Sequence, residues 1–137
     1  MALLPILIGS KSDHKFMTEG LTLLKDKGVG HFVMECSVHR KPEEAIITIE
    51  GLTKGNPEVI IAGAATATGL PGITAGYLQK YGILILGVRF SHEQTSIMED
   101  MAFNLSAMPK GVPLAYCGYN EKGFLHACMM AINLIEI

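Results

Sequence analysis

The chain has 137 residues, 49% of them hydrophobic and 18% charged, and its 11 Lys and Arg against 13 Asp and Glu leave a formal charge of −2. That length suits one domain spanning 1–137, with enough chain to bury roughly two-thirds of its unfolded surface, and the composition excludes a disordered acidic tail. The near-neutral balance argues against a nucleic-acid partner, which needs a basic face, but leaves room for a small anion held by a few local groups.

The apolar start, residues 1–8, has no basic lead and meets a polar loop at once, too short for a signal peptide or a membrane span. A soluble, cytoplasmic protein with no membrane partner is expected. Residues 3–8 read as a buried strand, with Pro5 early in it or at an irregularity. Gly9 to Asp13 form a polar loop. Met17, Leu21 and Leu24 then mark one face of a helix over 13–27, with Asp13 as its N-cap and Gly28 and Gly30 at its end. A second strand is expected over 31–36, then a polar loop from Ser37 to Lys41. Pro42 opens the next helix at its favoured position, with Glu43 and Glu44 against the positive helix end and an apolar face of Ala45, Ile46, Ile49 and Leu52. The spacing predicts a third strand over 58–62, a small-residue loop from Gly63 to Gly72 and a helix near 72–80. A fourth strand over 83–88, a helix near 96–107, a fifth strand over 112–117 and a last helix from about Gly123 complete five βα units.

Such alternation implies α/β architecture, a five-stranded parallel sheet covered by helices on both faces. Ligands of such sheets bind outside the carboxyl ends of the strands, at a switch point, so the loops after the strands carry the functional question. In the first, the hydroxyls of Ser10 and Ser12, free N–H groups and a helix start suit a phosphate or another anion. An ordinary capped turn has the same make-up, and neither a P-loop nor a dinucleotide fingerprint is present. In the second, Ser37, His39 and Arg40 stand together. The histidine can carry protons near neutral pH, and the guanidinium binds phosphate or carboxylate bidentately. His14, His31 and His126 read as structural. The third loop, with Ala65, Ala67, Gly69 and Leu70, has little bulk and no charge, which suits either a flat ligand or tight packing on the sheet. His92 and Glu93 in the fourth loop lack a second cluster, so no metal site is expected. Cys36, Cys117 and Cys128 are too few and too scattered for a disulfide scaffold, and each reads as a small buried thiol.

GSKSD at 9–13, SVHRKP at 37–42, VIIAGA at 59–64, LPG at 70–72, LGV at 86–88 and MPKGVP at 108–113 follow in order. In this the chain resembles the family of N5-carboxyaminoimidazole ribonucleotide mutases of de novo purine synthesis, along essentially its whole length. The resemblance implies a flavodoxin-like three-layer α/β/α sandwich and a homo-octamer with sites near subunit interfaces. It implies a shift of a carboxylate from an exocyclic nitrogen to an imidazole carbon without a cofactor. By the same resemblance Ser10, Ser12 and Asp13 bind a ribonucleotide, with Asp13 toward the ribose hydroxyls. Arg40, beside Ser37, holds the phosphate, and His39 shuttles the proton. The loop from Gly63 through Ala65, Ala67, Gly69 and Leu70 encloses the imidazole and the carbon dioxide.

The sequence also departs from the family pattern. Ala65 and Thr66 stand where glycines are usual, Gly69 where a histidine is, and Val38 where an alanine is. Arg89 and Phe90 replace a proline and an aliphatic residue, so that Arg89 either meets a substrate carboxylate or solvates a loop. The segment between Val88 and Met108 is about one residue longer. The family usually continues into a C-terminal helical tail that packs on neighbouring subunits, whereas this sequence ends at Ile137. These departures keep open a second expectation: a relative that binds a ribonucleotide with different chemistry or none.

Overall fold

The computed structural model describes residues 3–65, 69–91, 105 and 107–135. Five strands, β1 (Leu4–Ile8), β2 (His31–Glu35), β3 (Val59–Ala64), β4 (Leu84–Arg89) and β5 (Ala115–Tyr119), form one sheet in the order β2-β1-β3-β4-β5. Every pairing is parallel. This is the flavodoxin-like order, and its direction of winding reverses between β1 and β3. The α-helices whose bounds lie among the described residues are α1 (Thr18–Asp26), α2 (Pro42–Gly51), α3 (Gly69–Leu78) and α4 (Asn120–Ile135).

Alternation along the strands builds two cores. Leu4, Ile6 and Ile8 of β1 join Phe16, Leu24, Phe124 and Ala127 on the α1 and α4 side. Leu7, Ile60, Ala62 and Ile85 join Ala45 and Ile49 of α2 and Leu70, Ala75 and Leu78 of α3 on the other. The sheet is thus covered on both faces, which explains why β1 and β3 are buried at every position. Among the described residues no helix is long and apolar enough to cross a membrane.

Several boundaries differ from the sequence reading, each for a local reason. The first helical stretch splits into a 3-10 turn, Lys11–Phe16, and α1, and the residue capping the turn is Ser10, not Asp13: its side chain accepts from the Ser12 N–H. β3 runs on through Gly63 and Ala64, because the ladder with β4 continues to the Ala64–Arg89 pair. α3 starts at Gly69, three residues early, because Pro71 falls in its first turn, where a missing N–H costs nothing. β5 starts after Pro113, which has no N–H to give, and after a turn closed by the Val112 N–H on Pro109. α4 starts at Asn120 rather than Gly123. The helix expected over 96–107 falls largely outside the described residues. Pro5 lies at the second position of β1, before the ladder with β3 begins at Ile6.

Phe90 is the tightest junction. Its ring is fully buried and stacks on Phe16 at 5.6 Å between centroids and 6° between planes, with Phe124 tilted at 6.2 Å. It lies against the bare Cα of Gly63, in space that any β-carbon there would occupy. Phe90→Ala is expected to lower the unfolding free energy by about 3–5 kcal/mol, seen as a lower urea midpoint at unchanged slope. A loss under about 1 kcal/mol would mean that the cavity collapses and that the stack does not hold the fold.

Candidate active site

The carboxyl ends of β2, β1 and β3 are neighbours in the sheet, so the segments that follow them meet. A Cys36 N–H bond to the Ile8 carbonyl (2.7 Å) carries the β1–β2 pairing beyond β2. A cavity of about 240 Å³ opens there. Ser10 and Asp13 face it from the first loop, Ser37, Val38, His39 and Arg40 from the second, and Ala64, Ala65, Gly69 and Leu70 from β3 and the start of α3. Three segments far apart in sequence thus surround one volume, at the switch point where such sheets take their ligands.

The first loop is a compact, serine-capped turn. Ser10 is extended, its hydroxyl accepts from the Ser12 N–H at 3.3 Å, and the two hydroxyls lie 3.0 Å apart. The backbone N–H of Asp13 donates to the Ser10 carbonyl at 3.1 Å, and Asp13 itself is fully buried. In the second loop the Ser37 hydroxyl accepts from the Arg40 N–H at 3.3 Å, and the Lys41 N–H donates to the Ser37 carbonyl at 3.0 Å. This turn leaves His39 and Arg40 exposed at the rim. Against His39 sits Gly69, where an added β-carbon would lie 2.9 Å from His39 Nε2.

A second cavity, of about 470 Å³, adjoins the first across Cys36, Ser37 and Arg40. Lys11 and Lys41 face it, with Lys41 3.9 Å from Glu44 in an exposed pair. Lys11 was not singled out from the sequence, although its place between Ser10 and Ser12 in the first loop is the signal that finds it.

Of the residues expected at the site, Ser10, Asp13, Ser37, His39, Arg40, Ala65, Gly69 and Leu70 are brought together. Ser12 is beside the cavity, linked to it through Ser10. Gly63 does not face it; its open side is turned to Phe90. Ala67 lies outside the described residues, as do Thr66, His92 and Glu93. Among the described residues no group of three or more His, Cys, Asp or Glu could hold a metal ion. Arg89 is fully buried at the end of β4, so it does not solvate a loop, and it is not among the residues facing the cavity. Burial holds its guanidinium below the usual pKa, and the Tyr116 hydroxyl acts in the opposite sense.

The chain matches the family model for AIR carboxylase over residues 3–137. It is 31% identical to an N5-carboxyaminoimidazole ribonucleotide mutase of Haemophilus influenzae, over 98% of this chain and 79% of that protein. It is 30% identical to the mutase so named in Saccharolobus solfataricus, over 96% of this chain and 80% of that one. For the Escherichia coli protein of the same name the figure is 29%, over 95% and 75%.

The thiol beside the site is not a nucleophile. All three cysteines are free and buried. Burial pushes Cys36 and Cys117 up to about 11 and Cys128 up to about 12, so each stays protonated at neutral pH. At pH 8 a disulfide reagent is expected to leave the native protein untouched while it titrates the unfolded chain in full. A rapid equivalent from the native protein would contradict this. Because the folded values lie above the ordinary 9.0, the native state holds protons that the unfolded chain releases above that pH. Stability is therefore expected to fall as pH climbs past 9.

Proposed function

The chain belongs to the AIR carboxylase family, and from that membership we propose that it acts in purine biosynthesis, moving a carboxylate from N5-carboxyaminoimidazole ribonucleotide to the imidazole carbon. The observation that carries this reading is the meeting of Asp13, His39, Arg40 and Gly69 around one cavity at the sheet's switch point. The relatives that bear the mutase name align with nearly all of the chain, so 1–137 is read as one functional unit.

In this reading Arg40 and the turn hydroxyls of Ser10, Ser12 and Ser37 take the phosphate. A planar guanidinium and a set of N–H and O–H donors suit its oxygens. Asp13 accepts from the ribose hydroxyls. The carboxylate carbon leaves nitrogen as carbon dioxide, with the bonding pair staying on nitrogen, which gains a proton. The electron-rich ring carbon then attacks carbon dioxide, and the new carbon–carbon bond is completed as that ring carbon gives up its hydrogen as a proton. One proton is given and one taken, so His39 ends in the state in which it began. General acid–base help of this kind is typically worth 10²–10⁴ in rate. The uncharged wall of Ala64, Ala65, Gly69 and Leu70 keeps carbon dioxide near the ring, which is a gain in proximity. The reading extends to a homo-octamer in the cytoplasm, as the family resemblance implies.

A second reading, a ribonucleotide binder with other chemistry or none, is favoured by the wall itself. Gly69 brings no polar group to it, and Val38 and Ala65 add bulk. One experiment separates the two. The purified chain is given N5-carboxyaminoimidazole ribonucleotide, and the carboxylated imidazole is followed by its ultraviolet absorbance in both directions. Turnover is expected, with His39→Asn abolishing it while ligand binding persists. Arg40→Ala is expected to weaken binding by about 2–4 kcal/mol. Saturable binding without turnover supports the second reading. Equal loss of binding and turnover in His39→Asn removes the histidine from proton transfer.

A further inference from the structure

The ring of His39 lies against the bare Cα of Gly69. A β-carbon on Gly69 would stand 2.9 Å from His39 Nε2 and 3.4 Å from its Cε1, so this edge of the imidazole is turned to the start of α3. The same β-carbon would stand 3.3 Å from Val38 Cγ2. The valine methyl and the imidazole edge therefore converge on one point over the Gly69 Cα. Helix propensity alone favours alanine at such a position; what glycine supplies here is room. His39 is otherwise exposed.

We propose that Gly69 and Val38 are positioning residues for His39: together they set which edge of the imidazole is presented to the cavity. Glycine admits the Nε2 edge, and the valine methyl borders the same point over the Gly69 Cα. The two departures noted at 38 and 69 thus act as a single coupled feature. This rests on the proposed role of His39 as proton carrier.

The test compares Gly69→Ala, Val38→Ala and the double variant in the full chain. Two readouts are used: the His39 ring resonances of the free protein, and kcat and KM for the ribonucleotide. Gly69→Ala is expected to shift the His39 ring signals. It is expected to lower kcat roughly tenfold to a hundredfold, the scale of a misplaced catalytic group, with KM changed by less than about twofold. Removing the valine methyls gives the displaced ring somewhere to go, so the double variant is expected to recover part of kcat over Gly69→Ala. Such non-additivity marks residues in contact. Strictly additive effects, or Gly69→Ala with unmoved His39 signals, would overturn the proposal. Should Gly69→Ala fail to fold, Val38→Ala decides alone, since a ring without its wall is expected to change its signals. If the native chain shows no turnover, the reading of function fails separately, and the His39 signals still judge the positioning.

Discussion

The contact of Phe90 with Gly63 and Phe16 is the constraint on which the site depends. The bare Cα of Gly63 lets the Phe90 ring lie down on β3, and Phe16 stacks on that ring. Phe16 ends the same short 3-10 turn that carries Asp13. The position of a buried carboxylate at the cavity is therefore set by an aromatic stack on the other side of the sheet. A stack of this kind fixes orientation as well as distance, and buried rings of this size dominate the energetics of a small core.

On the opposite face the arrangement depends on small residues rather than large ones. Ala62, Ala64 and Ala75 pack β3 and α3 closely, and Gly69 brings the first turn of α3 up to His39. The polar groups are held by local turns, Ser10 with Ser12 and Ser37 with Arg40. The result is a cavity with a polar mouth and an apolar, uncharged wall. Cys36, protonated and bonded to the Ala45 carbonyl at 3.6 Å, belongs to the wall as packing and not as chemistry.

Much of this was legible in the sequence. Continuous apolar runs separated by helical periodicity fix a parallel sheet, and Pro42 marks the start of α2 to the residue. The loops after the first two strands announced themselves through clustered hydroxyl and basic groups. What was not legible depends on contacts across the sheet. Gly63 reads as a loop residue because glycine commonly marks loops, yet it lies in a strand, kept bare by Phe90. Asp13 looks like a cap, but the cap is Ser10 and the carboxylate is turned inward. Arg89 reads either as a partner for a substrate carboxylate or as a solvated loop charge, and it is fully buried. No periodicity encodes the closeness of Gly69 to His39, because 30 residues and a whole strand separate them in the chain.

The central claim is that the three loops form one ribonucleotide site. The most direct measurement is a crystal structure of the protein with aminoimidazole ribonucleotide. The account predicts the phosphate between Arg40 and the Ser10–Asp13 turn, the ribose at Asp13, and the imidazole between His39 and the wall of Ala64, Ala65, Gly69 and Leu70. A ribonucleotide bound elsewhere, or in this cavity with its phosphate against the apolar wall, would contradict it.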